Sequence, residues 1–196
     1  MLSKNGGDDP RVVRSRELLE QSLLTLLKEK KLYNLSVSEI AKHAGVNRST
    51  FYTHFYDKYA LYRAVIRTTF TQAVSHIDGS AEAHSVISLK KFVDKVLDYF
   101  LYLNKECPAA DRELRPLAEV EIQRCLQTYF REFFSSQRVN SENLDPSTNT
   151  VVQFVTWGLF GVGLDLSDLL DSDERTLRRE RAQLLVDVLV SSNTPT

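Results

Sequence analysis

The sequence predicts an all-α fold, and three observations carry that expectation. Apolar residues recur at intervals of three and four along most of the 196 residues, and no segment alternates with a period of two. Leu35–Leu61, LSVSEIAKHAGVNRSTFYTHFYDKYAL, holds a serine with a glutamate three residues on, then a glycine, then an asparagine before another apolar-flanked run. That pattern is two short helices set around a glycine turn, with a third helix starting at once.

Taken in order, the first helix starts with Asp9 as cap and Pro10 at its first position. Leu19, Leu23, Leu26 and Leu27 form its inner face, and Lys28 to Lys31 load its end with positive charge. Ser36 and Glu39 make a capping box for the second helix, whose apolar side is Val37, Ile40, Ala41 and Ala44. Gly45 supplies the permissive backbone for the corner. Val46 staples the corner and Asn47 caps the third helix, which exposes Arg48, Ser49, Thr50, Tyr52, Thr53 and His54 around an inward Phe51 and Phe55. Asp57 caps a fourth helix that carries Leu61, Val65, Ile66 and Phe70 and runs to about His76. The segment IDGSAEAHS is a connection. Beyond it, helices are expected over Leu89–Asn104, Leu114–Gln137, Asp145–Leu170 and Asp173–Ser191, with Arg138–Asn149 a flexible connector and the terminal SSNTPT frayed.

Composition narrows the function classes. The chain is 42% hydrophobic and has a formal charge of −1, which hides a split. Residues 1–67 carry 12 Lys+Arg against 7 Asp+Glu, and the other 129 carry 13 against 19. The basic end holds the helix-turn-helix pattern, as a polyanion-binding module would. Cys107 and Cys125 have neither CxxC nor metal-ligand spacing, so reduced thiols are expected and no metal site. The N-terminus lacks the apolar run of a signal peptide, and Val151–Leu166 falls short of a membrane span, so a cytoplasmic protein with no membrane partner is expected. Gly161-Val162-Gly163 begins like a dinucleotide loop, but Leu166 stands where the third glycine belongs and no strand precedes it. Asp171 and Asp173 sit in a charged run suited to capping the last helix. No catalytic constellation and no cofactor are expected.

The residues that carry a resemblance are Ser36-Val37, Ile40-Ala41, Ala44-Gly45-Val46, Asn47-Arg48, Thr50-Phe51-Tyr52, His54-Phe55, Lys58 and Leu61. Over about its first 70 residues the chain resembles the TetR family of bacterial transcriptional regulators. One departure is the end of the first helix, where the family often has a glycine and this chain has Lys31 before Leu32-Tyr33. The resemblance implies a disordered tail over residues 1–9, a DNA-binding domain over 10–56 and a helical effector-binding and dimerisation domain over 57–192. The two domains would be joined through a long fourth helix.

A recognition helix enters the major groove with its N-terminal residues at the base edges. Arg48 is the best base reader, because its fork pairs bidentately with guanine. Ser49 and Thr53 can touch a base, and Ser36 and Ser38 approach from the preceding helix. Thr50, Tyr52 and His54 match family positions that hold the DNA backbone, and Lys58 is placed to meet a phosphate beside the first helix amides of its own helix. Arg11, Arg14 and Arg16 read better as a solvated face than as a phosphate arm, and His43, His76 and His84 as ordinary histidines. In the second half, Phe100, Tyr129, Phe133, Trp157 and Phe160 are the candidates for lining a small-molecule pocket, with core packing as the alternative for each. Gly158, Gly161 and Gly163, with the stripe Leu177, Leu184, Leu185, Val188 and Leu189, suit a helical interface in a homodimer. The partners implied are operator DNA, a second copy and an effector. An adaptor that binds a protein, and an architectural DNA binder without effector, share the same N-terminal half and stay open.

Overall fold

A computed structural model of the chain describes residues 9–75, 86–106, 114–136, 146–168 and 172–191. They form α1 (Pro10–Leu27), α2 (Val37–His43), α3 (Arg48–His54), α4 (Lys58–Val74), α5 (Val86–Glu106), α6 (Arg115–Ser136), α7 (Pro146–Asp168) and α8 (Ser172–Ser191), with a short 3₁₀ turn at Leu32–Asn34. Among the described residues there is no strand. The tail before Asp9, the segment IDGSAEAHS with His76, Cys107, residues 137–145 of the expected connector, Leu170, Asp171 and all of SSNTPT but Ser191 lie outside them. The expected connector and the helix expected from Asp145 overlapped; residues 146–149 are helical, since proline is suited to a first helical turn.

Two compact units divide the chain. One gathers α1 to α3, α4 as far as Ile66 and α6 as far as Ala118; the other takes α4 from Arg67, α5, α6 from Glu119, α7 and α8.

In the first unit α1, α2 and α3 pack against one another. Asp9 accepts from the Arg11 amide at 3.0 Å and Pro10 opens α1, so that end forms as its sequence dictates. Leu19 and Leu23 are fully buried, while Leu26 and Leu27 are half-buried. Leu32 and Leu35 of the following turn complete this core with Ile40, Phe51 and Leu61, each worth about 1.5–3 kcal/mol of burial. The chain therefore leaves α1 without a glycine: Leu32 drops into the core and Tyr33 stays exposed.

The corner between α2 and α3 is built by backbone bonds. Ser36 Oγ accepts from the Glu39 amide at 3.1 Å and the Glu39 carboxylate accepts from the Ser36 amide at 3.0 Å. At the far end the Val46 amide donates to Ala41 O and the Gly45 amide to Lys42 O, a Schellman closure with Gly45 at φ 68°. Asn47 holds the cap position of α3 with extended backbone, yet its side chain makes no capping bond.

In the second unit α5 packs against both α7 and α8. Phe92, Val93, Val96 and Leu97 of α5, Leu126 and Phe130 of α6 and Val152 of α7 are fully buried. Gly163 is required by close packing, because a Cβ there would run into the Phe100 ring. α8 is charged, and Arg179 to Asp98 and Lys90 to Asp187, both 2.8 Å, tie it to α5. Phe154 and Trp157 stand exposed on α7 beside the exposed Gly158 and Gly161, while Leu177 and Leu184 are exposed on α8. The side chains of Leu185, Val188 and Leu189 lie outside the description.

Candidate functional sites

α3 turns only Phe51 and Phe55 inward. Arg48, Ser49, Tyr52 and Thr53 are exposed and Thr50 is half-buried, so the seven-residue helix offers a dense set of donors to solvent. The Arg48 guanidinium lies over the Tyr52 ring, 5.5 Å from its centroid, with Nη2 3.3 Å from the phenol oxygen. That contact spans one helical turn and holds the fork away from the protein core. Thr53 Oγ1 donates to Thr50 O at 2.6 Å. On α2, Ser38 is exposed, whereas both the amide and hydroxyl of Ser36 are engaged by Glu39.

Two residues assigned to the DNA backbone have other work in this structure. Lys58 Nζ donates to Leu32 O, Tyr33 O and Leu35 O, each at 2.9 Å. An ammonium has three protons, so these carbonyls take all of them and the residue locks the turn between α1 and α2. That turn, with Lys31 before Leu32-Tyr33, has three of its carbonyls satisfied by Lys58. His54 is half-buried, with Nε2 2.7 Å from Ser15 Oγ on α1.

The His54 contact has a counterpart that sequence reasoning missed. His43 Nδ1 lies 2.7 Å from Ser22 Oγ, also on α1. Ser15 Oγ donates to Val12 O at 3.0 Å and Ser22 Oγ to Ile40 O at 3.2 Å. Each hydroxyl has one proton, so with it on the carbonyl the imidazole N–H is the donor in both pairs. Seven residues separate the serines, two helical turns, which puts both on one face of α1. The sequence signal was that spacing, Ser15 and Ser22 on the same side as Leu19 and Leu23. Arg16 pairs with the buried Glu20 at 3.1 Å and lies 5.3 Å above the Phe55 ring, while Arg11 and Arg14 are exposed.

Hydrogen bonding from the Ser36 backbone and hydroxyl, helped by Lys30, pulls the Glu39 carboxyl down to about 2. The capping box is therefore charged at neutral pH, where its anion also suits the positive end of α2.

The second unit contains a cavity of about 360 Å³ between α4, α5 and α6. Arg67, Phe70, Thr71 and Val74 of α4 line one side, Phe92 of α5 another, and Glu121, Arg124, Cys125, Thr128, Tyr129 and Glu132 of α6 the third. Tyr129 stacks on Phe92, centroids 3.4 Å apart. Of the five aromatic pocket candidates only Tyr129 lines this space. Phe100 and Phe160 pack edge to face at 5.6 Å, Phe133 is buried against Phe134, and Trp157 is exposed. Burial pushes the Tyr129 phenol up to about 12, and burial with the neighbouring Glu121 charge pushes the Cys125 thiol up to about 11. The sequence signal for this cavity was polar spacing: Glu121, Cys125, Thr128 and Glu132 share one face of α6, and Arg67, Thr71 and Val74 one face of α4.

Among the described residues no cluster of metal-ligating side chains occurs, and no helix is long and apolar enough to cross a membrane.

Comparisons with known proteins agree with this geometry. Residues 23–65 match the family described as bacterial regulatory proteins, tetR family. The chain is 33% identical over 84 residues to YxbF of Bacillus subtilis, an uncharacterised HTH-type transcriptional regulator; the match covers 42% of this chain and 22% of that protein. It is 30% identical over 116 residues to an HTH-type transcriptional regulator of Haemophilus influenzae, covering 55% of this chain and 57% of that protein. The chain thus spans about a fifth and just over half of the length of these relatives. Its fold is similar to a TetR transcriptional regulator from Rhodococcus sp. RHA1, with a TM-score of 0.57 at 20% identity over 95% of this chain and 100% of that one. Residues 23–65 thus match the tetR family of bacterial regulatory proteins, within an all-helical fold similar along nearly the whole chain to that of the Rhodococcus regulator.

Proposed function

We propose that this protein is a sequence-specific transcriptional regulator that binds a pseudo-palindromic operator as a homodimer, represses there, and is released by a small molecule held in its second unit. The observation that carries the reading is the face of α3, a short helix that exposes Arg48, Ser49, Tyr52 and Thr53 beside Ser38 of α2. Arg48, Ser49 and Thr53 then meet base edges, and Ser38, Thr50 and Tyr52 meet the DNA backbone. Ser36, His54 and Lys58 act behind that face by fixing α2, α3 and the turn between α1 and α2. The exposed Phe154, Trp157 and small residues of α7, with Leu177 and Leu184 of α8, support a dimer contact through these two helices. The cavity supports an effector. The reading gives the protein no catalytic step, and its place is the cytoplasm, on the nucleoid when bound to DNA.

Selection from randomised duplexes tests it. The bound fraction is expected to yield an inverted repeat with half-sites one helical turn, or a multiple, apart, and sedimentation is expected to give a dimer on one site. Recovery of asymmetric or sequence-indifferent DNA would sink the proposal.

A further inference from the structure

The cavity between α4, α5 and α6 holds two buried polar atoms without a hydrogen-bond partner, Glu121 Oε2 and Tyr129 Oη. The Glu121 side chain is 3% exposed, and its other oxygen accepts from Arg67 Nε at 2.8 Å. Arg124 Nη1 stands 3.7 Å from Oε2, close enough to compensate charge and too far to donate a hydrogen bond. Buried groups left without partners cost free energy, and here the two lie on the lining of one cavity, where a bound molecule can complete the set.

These two atoms need opposite partners. A carboxylate oxygen only accepts, so Glu121 needs a donor. The Tyr129 phenol stays protonated far above neutral pH, so it can donate. The residues lie eight apart on α6, about 12 Å along its axis, with Phe70, Phe92 and Cys125 lining the same cavity. Arg67 and Arg124 already answer the charge of Glu121, so no ligand cation is needed, and a ligand carboxylate would meet Glu121 itself. Cys125 is held as a neutral thiol, which gives an electrophile little to attack.

Resting on the effector reading above, we infer that this cavity takes an elongated, uncharged, largely aromatic molecule with a hydroxyl at each end, one donating to Glu121 and the other accepting from Tyr129.

Calorimetry on the full chain without DNA tests this with three probes: biphenyl carrying a para hydroxyl on each ring, its dimethyl ether, and the matching dicarboxylate. The diol is expected to bind, the ether at least tenfold more weakly, and the dicarboxylate not at all. Tyr129→Phe should weaken diol and ether alike by about tenfold, because an ether oxygen still accepts, whereas Glu121→Gln should weaken the diol about tenfold and leave the ether's affinity as in the wild type. That difference separates a ligand contact from a structural role, and the Tyr129 variant removes only a hydroxyl, so it serves if the Glu121 variant folds poorly. No binding of the diol, equal binding of diol and ether, or tighter binding of the dicarboxylate each overturns the inference. A diol that binds as expected but leaves operator affinity unchanged counts against ligand-induced release and leaves the ligand class standing.

Discussion

Arg48 and Lys58 are both cations of the first unit, and their surroundings assign them opposite tasks. Arg48 rests on Tyr52 at the surface, whereas the Lys58 ammonium holds three carbonyls of the turn between α1 and α2. Arg48→Ala should remove about 1–3 kcal/mol of discrimination at one base pair per half-site, read by competition between operator variants, with the melting temperature unchanged. Lys58→Met should instead lower stability by about 2 kcal/mol in chemical unfolding, because the turn loses charge-assisted bonds. A Lys58 variant of wild-type stability that bound all DNA less well would favour the phosphate reading. The sequence marks Arg48 as a base reader and Lys58 as a phosphate contact, because type and position show a charge but not which acceptors the fold brings to it. The His54 contact was hidden for the same reason: its partner, Ser15, lies 39 residues away. Cys125 gives a third test. In a Cys107→Ser background its alkylation at pH 7.5 should be much slower folded than unfolded, since the thiolate is scarce below about 11.

At the scale of the element, local signals were read with most success where backbone chemistry is self-contained. The Asp9 cap, the Ser36–Glu39 box, the glycine corner and the Asp57 cap, which accepts from the Ala60 amide at 2.6 Å, all stand as the residues indicated. Asn47 marks the limit, holding the right position without the side-chain bond. Gly45 has open space around its missing Cβ, so Gly45→Ala tests conformation alone and should cost about 1–2 kcal/mol from the left-handed backbone. The box adds a pH dependence. Glu39 is held near 2 when folded against an ordinary 4.5, so its contribution is present above pH 4.5 and lost as pH falls towards 2. Melts of wild type and Glu39→Gln should differ by a constant amount down to about pH 5 and converge below it. A gap that persists at pH 2 would show that the bonds to Ser36 do not depend on the charge.

At the scale of the molecule, α4 runs from Lys58 to Val74, its residues to Ile66 grouped with the first unit and those from Arg67, including Phe70, with the unit that holds the cavity. If a ligand in that cavity loosens operator binding, linkage requires the operator to loosen the ligand by the same factor. Ligand affinity measured with saturating operator should be lower than without it, and equal values would remove the coupling. The all-helical plan was legible because apolar residues recur at three- and four-residue intervals along most of the chain. The cavity was not, because it lies among three helices far apart in sequence and its polar lining is hidden among core positions. Of the aromatic residues proposed as pocket lining, only Tyr129 lies at this space.

The two serines of α1 make that helix a ruler for the placing of α2 and α3. Ser15 receives α3 and Ser22 receives α2, two turns apart, so their separation matters more than the identity of the exposed residues between them. Deleting or inserting one residue between positions 15 and 22 turns one hook by about 100° away from the other. Substitutions at the exposed Glu17, Leu18 and Gln21 should therefore pass in a mutational scan of operator binding, while single-residue changes of length in the same stretch should fail. In that stretch the chain is permissive in spelling and strict in counting.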